Sequence, residues 1–317
     1  MQRVLVTGAT GFIGAAVACA LARRGVEVAV LLRSSSDPWR LGADVRNMHL
    51  LHGSLDDAAS YAPGLHDFRP DTVMHLGWHG VSKAGRHDPA QVRTNVCGSV
   101  DLLLAAAAAG CRTFIGAGSQ AEYGPSDAAI DEHHPRCPRS LYGAAKLAAF
   151  TLLDQLARQH GMRLAWLRIF SVYGPQDAPD TLVSSLVSQL LAGIRPALTT
   201  AEQVWDFLYV DDAAEAFVAV GSAAAAAGVF NVGSGSARPL RETIAQVRDL
   251  IDPSLPLGFG EIPSAAHAVR HLEPVVSHLR SVTGWSATTP LAVGLACTID
   301  WHRQVAAGRA PRFSAAS

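Results

Sequence analysis

The chain has no long apolar run. None approaches the ~20 residues that cross a bilayer, and the nearest candidate, Leu102–Ala109, is far too short. No charged segment followed by an apolar one opens the chain, so no signal peptide is expected. Neither charge is in excess, with 26 lysines and arginines against 27 aspartates and glutamates. Proteins that grip nucleic acid or a membrane surface carry a basic surplus, so neither partner is expected. Cysteine is sparse: Cys19, Cys97, Cys111, Cys137 and Cys297 are odd in number and form no C-x-x-C pair. That argues against a disulfide framework and for reduced thiols in a cytoplasmic protein. The 13 histidines show no H-E-x-x-H or similar spacing, so no metal site is expected. No repeat of fixed period is present.

What is present begins at once, in Arg3 to Gly14, RVLVTGATGFIG. Val4, Leu5 and Val6 are an apolar run of the kind that fills a buried parallel strand. Gly8, Gly11 and Gly14 follow at three-residue spacing, and an Ala-rich helical stretch begins near Ile13. Surface turns often produce such triplets. Between a strand and a helix, the glycines let the backbone turn sharply and let a pyrophosphate approach it. The helix N-terminus then offers unpaired N–H groups and a partial positive charge to the anion.

Further strand-like runs lie at Val26–Leu32, Met48–Leu51, Thr72–Leu76, Thr113–Ala117 and Leu164–Ile169. Helical patterns separate them, notably Pro89–Ala109 and Leu141–His160. This alternation predicts an α/β fold, a Rossmann-like doubly wound parallel sheet. Ligands then bind beyond the carboxyl ends of the strands. After Ile169 the prolines Pro175, Pro179, Pro196 and Pro239 punctuate shorter pieces, including helices near Leu182–Ala192, Leu240–Leu250 and Leu291–Val305. Gly228–Val232 reads as another buried strand, after a helix from Asp211 to about Ala225. The expected organisation is a dinucleotide-binding domain over residues 1–170, to which 204–233 return. A smaller, interleaved substrate lobe takes 171–203 and 234–317. Residues from Gly308 onward are expected to fray.

Two stretches carry the chemistry. Tyr142 and Lys146 are four apart, so on a helix they share a face. A free tyrosine is a poor acid or base at neutral pH, and a nearby ammonium lowers its pKa. A chance amphipathic pair would have the same spacing. Ser119 lies just beyond the strand Thr113–Ala117, where its hydroxyl can bind a substrate oxygen.

The TGATGFIG turn resembles the TGxxGxxG fingerprint of the short-chain dehydrogenase/reductase family, in its extended branch. Ser119, Tyr142 and Lys146 resemble that family's catalytic set, with Ser119 five residues before Gly124 of a Tyr-Gly pair. The resemblance makes Tyr142 the acid/base, Lys146 the holder of the ribose hydroxyls and Ser119 the orienter of the substrate oxygen. His75-Leu76-Gly77 is similar to the family's HLA turn, and Asn95 to the asparagine of the next helix. Residues 167–175 resemble LRxxNxYGP, 206–212 resemble RDFxYVxD, and 230–233 resemble FNxG. Gly284-Trp285, with Pro290-Leu291, resembles the closing GWxP segment. The implied cofactor contacts are Gly8, Thr10, Gly11, Phe12, Ile13 and Gly14 at the turn, with Arg33 and Ser34 after the second strand. Ser54 and Leu55, Leu76 and Gly77, Asn95, Phe170, Tyr142 and Lys146 complete the set. The implied substrate is a nucleotide sugar, and a homodimer through the helices Pro89–Ala109 and Leu141–His160 is common in such folds.

Departures from the pattern narrow the expectation. The second strand ends in Arg33 and Ser34 where an acidic residue would bind the ribose of NAD. A guanidinium favours a 2′-phosphate that a carboxylate repels, so NADP(H) is expected ahead of NAD(H). Arg33 as a surface residue stacked on adenine is the other reading. Ser54 replaces the usual aspartate. Gln120 and Ala121 replace the Asp-Glu of the sugar 4,6-dehydratases, which disfavours dehydration. Glu122 stands one residue late. Trp205 replaces an arginine of RDF and Ser171 the asparagine of LRxxN. Trp205 is open to stacking on a ring or to packing in the lobe. Arg270 is left to contact a phosphate, and Trp78 to shape the sugar site. The substrate-contact set is thus Trp78, Gln120, Glu122, Ser171, Trp205 and Arg270. The resulting expectation is NADPH-dependent reduction of a nucleotide-linked keto sugar, of the 4-keto-6-deoxyhexose 4-ketoreductase type. A nucleotide-sugar epimerase and a non-catalytic NADP sensor are the alternatives.

Overall fold

Parallel strands need cover on both faces, and the apolar runs of this chain receive it except at the edge run Met48–His52, where Leu50 is exposed. A computed structural model describes residues 1–82, 84–264 and 269–311. Six sheet strands come in order: β1 (Arg3–Thr7), β2 (Glu27–Leu32), β3 (Met48–His52), β4 (Thr72–His75), β5 (Thr113–Ser119) and β6 (Arg163–Ile169). A seventh, Gly228–Val232, lies beside β6. The spatial order is Gly228–Val232, β6, β5, β4, β1, β2, β3, and every pairing is parallel. The chain winds outward from β1 to β3 and then restarts at β4 on the other side. That reversal opens a crevice at the carboxyl ends of β1 and β4.

Alternate residues of each strand face opposite helix layers. Val4 and Val6 of β1, with Val28 and Val30 of β2, pack under α1 (Phe12–Arg23) and α6 (Val210–Ser222). Leu5, Val73, Phe114 and Trp166 face α2 (Ala58–Phe68), α3 (Gly98–Ala108) and α4 (Leu141–Gln159). A separate apolar cluster joins α5 (Leu182–Leu191), α7 (Leu240–Ile251) and α9 (Leu291–Ala306) through Val187, Leu190, Ile244, Val247 and Ile299. Two-residue strands stitch this region together. Val204–Trp205 pairs with Arg238–Pro239 and with His271–Leu272.

Three differences from the sequence pattern have physical causes. The expected single helix Pro89–Ala109 begins as a wider π-helical turn, Gln91–Cys97, before α3. Buried Gln91 and Asn95 there reach out to the loop after β4. Helix α2 carries Pro63 in its interior, which hid its pattern. The short α8 (Ser277–Thr283) is too brief to show a periodicity. Of the tail expected to fray, residues 312–317 lie outside the described residues.

Candidate active site

The glycine turn is built by close backbone approach. Gly8 has φ +72°, and a Cβ on it would meet the Leu76 and Gly77 backbone at 2.6 Å. The ends of β1 and β4 therefore touch main chain to main chain. A Cβ on Gly14 would overlap the Gly8 carbonyl oxygen. Gly11 caps α1 without a side chain, and the first turn of that helix holds no acidic residue. Thr10, Phe12 and Ile13 are partly open around it. The leading N–H groups of α1 thus face the crevice side with their positive end uncompensated. A dinucleotide pyrophosphate fits this cradle, which any larger residue would fill.

The walls hold the cradle in place. Gly77 N–H donates to Thr7 Oγ1 at 3.0 Å, and Thr7 Oγ1 meets His75 Nδ1 at 2.8 Å. The other imidazole nitrogen meets Ser99 Oγ at 2.8 Å. Burial pushes the His75 pKa down to about 3, so the ring is neutral. Leu55 packs against Gly77, while the Ser54 hydroxyl donates to Asp56. Asn95 spends its amide on the His79 backbone, at 2.8 and 2.9 Å, and so shapes the loop. Arg33 and Ser34 are exposed just past β2, on the edge that carries the glycine turn. Arg40, which the sequence did not single out, donates to Thr10 O at 2.9 Å and Gln176 O at 3.1 Å.

The three chemical residues converge from two elements. Ser119 ends β5, and Ser140 caps α4 by accepting from Gly143 N–H at 3.1 Å. That cap places Tyr142 and Lys146 on successive turns of one face. Burial raises the Tyr142 pKa, and Ser119 and the charge of Arg86 oppose that rise. Lys146 was expected to lower the Tyr142 pKa. The ammonium donates to Ala117 O at 2.6 Å and lies 3.6 Å from the Trp78 ring centroid, with the Tyr142 ring centroid 5.9 Å away. Burial pushes Lys146 itself down to about 7, against the favourable charge of Glu122.

Gln120 follows Ser119 in a short turn and is partly open. Glu122 does not face a ligand. It is 0% exposed beneath Ser119 and accepts from Ser119 N–H, Trp166 Nε1 and Arg168 Nε at 2.9, 2.9 and 2.7 Å. The turn after β5 folds it inward, which a reading of the segment as extended could not show. Ser171 and Trp205 meet: Trp205 Nε1 donates to Ser171 Oγ at 2.7 Å. Phe170 is buried with Tyr123, Ile130 and Leu272, a cluster on which Trp205 packs. Arg270 is exposed on the adjoining strand segment, its carbonyl accepting from Val204 N–H at 2.9 Å. Arg86 and Gln91 were also missed; neither sits in a spacing that marks chemistry, and only the fold brings them to Tyr142 and Trp78.

A crevice at a switch point, a glycine cradle and a Ser–Tyr–Lys cluster together define a dinucleotide-dependent enzyme site. Residues 4–233 match the model of the NAD dependent epimerase/dehydratase family. The chain is 29% identical to UDP-glucuronate 4-epimerase 1 of Arabidopsis thaliana, over 94% of this chain and 76% of that protein. It is 28% identical to GDP-6-deoxy-D-mannose reductase of Pseudomonas aeruginosa, over 96% and 98% of the two chains. The crystal structure of Thermus thermophilus UDP-glucose 4-epimerase in complex with NAD aligns with a TM-score of 0.82 at 26% identity, covering 95% and 99%. The chain belongs to the NAD dependent epimerase/dehydratase family, and is a nicotinamide-dinucleotide-dependent enzyme of the extended short-chain dehydrogenase/reductase type. Among the described residues no helix is long and apolar enough to cross a membrane.

Proposed function

We propose that the enzyme uses NADPH to reduce a nucleotide-linked keto sugar, of the 4-keto-6-deoxyhexose type, at its ketone. The observation that carries this is the open end of β2, where Arg33 and Ser34 are exposed and no carboxylate stands. A guanidinium there supports a 2′-phosphate. With the Ser54 hydroxyl turned to Asp56, one usual anchor for the adenosine is missing. Both features favour a cofactor that exchanges on each turnover. When bound, a reduced nicotinamide supplies the hydride for the carbonyl carbon.

The chain's own residues do the rest. Ser119 holds the carbonyl oxygen by its hydroxyl, and the Tyr142 phenol gives its proton to the forming alkoxide. Lys146 stabilises the resulting phenolate and binds ribose hydroxyls. Gln120, Ser171, Trp205 and Arg270 border the sugar and its nucleotide, in a lobe formed by 171–203 and 234–317. The same reading includes a homodimer through α3 and α4, supported by exposed Leu104, Leu141 and Leu152. The relatives named as epimerases favour a second reading, a nucleotide-sugar epimerase that recycles its cofactor within each turnover. Mixing the enzyme with NADPH and a nucleotide-linked 4-keto-6-deoxyhexose separates the two. Loss of reduced-nicotinamide absorbance equal to product formed supports the reductase. Sugar isomers formed from a substrate without a ketone, with no net loss of NADPH, support the epimerase.

A further inference from the structure

Lys146 is 3% exposed, so its ammonium has lost most of its water. One carbonyl and one aromatic face replace that water. The carbonyl is that of Ala117, at 2.6 Å, and the face is the indole of Trp78, 3.6 Å away at its centroid. The indole also meets the Tyr142 ring edge-on, with centroids 6.3 Å apart. A desolvated cation on an indole face is the strongest form of this contact.

The indole is held in place from behind. Its Nε1 donates to Gln91 Oε1 at 2.8 Å, and Asn95 Nδ2 donates to the same oxygen at 2.8 Å. Gln91 Nε2 donates to Gly80 O at 2.8 Å and Gly85 O at 2.9 Å. Gln91 and Asn95 both project from the π-helical turn at the head of α3. Such turns are frequent at functional sites because they re-aim side chains that a regular helix would misplace. Here the turn delivers two amides to one loop, and the loop presents Trp78.

We propose that Trp78 is a positioning residue for Lys146, whose ring holds the ammonium against the Ala117 carbonyl and keeps it charged and aimed at Tyr142. This rests on the reading of Lys146 as part of the catalytic set. The other groups around Lys146 supply less: the Tyr142 and Trp166 ring centroids lie 5.9 and 6.0 Å from its nitrogen, against 3.6 Å for Trp78. Tyr142 and Ser119 are neutral, and His75 on β4 is a neutral imidazole. Glu122 favours the cation but is committed to Arg168, and Arg86 above the Tyr142 ring adds a like charge. Burial brings Lys146 to about 7, so losing one favourable contact changes its charge at neutral pH.

The chain has two lysines, Lys83 and Lys146. Isotope-labelled lysine in a Lys83→Arg protein therefore reports Lys146 alone, by the NMR shift of its Cε. In that background Trp78→Leu lowers the Lys146 titration midpoint by about one pH unit, the tenfold effect of a buried cation–π contact. Trp78→Phe keeps an aromatic face and most of the midpoint. In turnover, Trp78→Leu loses kcat about fivefold at about pH 7 and regains it about one unit lower, with KM for the ketone little changed. A merely structural role lowers kcat equally at every pH. Gln91→Leu unfastens the indole and lowers the midpoint by a smaller amount. It decides the matter if Trp78→Leu does not fold. A midpoint unmoved in Trp78→Leu, or in Gln91→Leu where that is the folded variant, overturns the proposal. The titration needs no substrate, so a shifted midpoint without ketone reduction would reject the reductase reading and leave Trp78 in its role.

Discussion

Glu122→Gln removes one charge from beneath Ser119 and leaves the side-chain shape. The parent carboxylate is 0% exposed and takes three donors at 2.7–2.9 Å. Arg168 is also 0% exposed, with its guanidinium carbon 4.5 Å over the Tyr123 ring, so Glu122 is its counter-charge. The amide of glutamine offers one acceptor oxygen, and its NH2 must face a donor. Breaking a buried pair from one side costs about 3–5 kcal/mol, because the remaining charge is uncompensated. Whole domains hold roughly 5–15 kcal/mol of stability, so the variant should lose a large share of it. Removing both charges, in Glu122→Gln with Arg168→Met, should restore much of the loss. Equilibrium denaturation with urea, reading midpoint and slope together, measures this. A single variant within about 1 kcal/mol of the parent, or a double variant no better than the single, would refute the reasoning.

Three other outcomes follow from the geometry. His75 is neutral in the folded protein and protonates more readily when unfolded, so the unfolded state binds more protons between pH 6.5 and about 3. Stability is full above that window and falls as pH drops through it; a His75→Gln variant should show a shallower acid loss in thermal melts taken across the range, and an equally steep loss would remove His75 as the cause. Arg33→Asp should weaken NADPH binding and move preference toward NADH, read from dissociation constants for both; a parent that already prefers NADH contradicts the assignment of Arg33. Tyr142→Phe should keep fold and cofactor affinity while kcat falls at least ~100-fold, the scale of a lost general acid; activity within a fewfold of the parent removes Tyr142 from the mechanism.

Local signals made the sheet and the glycine turn after its first strand legible in the sequence. Val4–Val6 before Gly8 needs only a window of a dozen residues to read, and so does Tyr142 with Lys146 one turn on. What stayed hidden depends on partners distant in the chain. Glu122 reads as a substrate-contact carboxylate, one residue late in the pattern, until Arg168, 46 residues later, is folded beneath it. Trp205 and Ser171 each read as a departure from the family pattern, and only the fold shows that one hydrogen-bonds the other across 34 residues. Trp78 reaches Lys146 because β4 and β5 are neighbours in the sheet, which no spacing announces. The π-helical turn is invisible for another reason: its cause is the bonding of Gln91 and Asn95 to a loop, not a propensity.

The proposed function rests on net hydride transfer from a nicotinamide to a sugar ketone at Tyr142. The most direct measurement supplies NADPH carrying deuterium at the transferable position, together with a nucleotide-linked 4-keto-6-deoxyhexose, and weighs the product by mass spectrometry. The account predicts one deuterium in each product molecule, one NADPH consumed for each, and no labelled product from Tyr142→Phe. Product without deuterium, or labelled product at the parent rate from Tyr142→Phe, would contradict it.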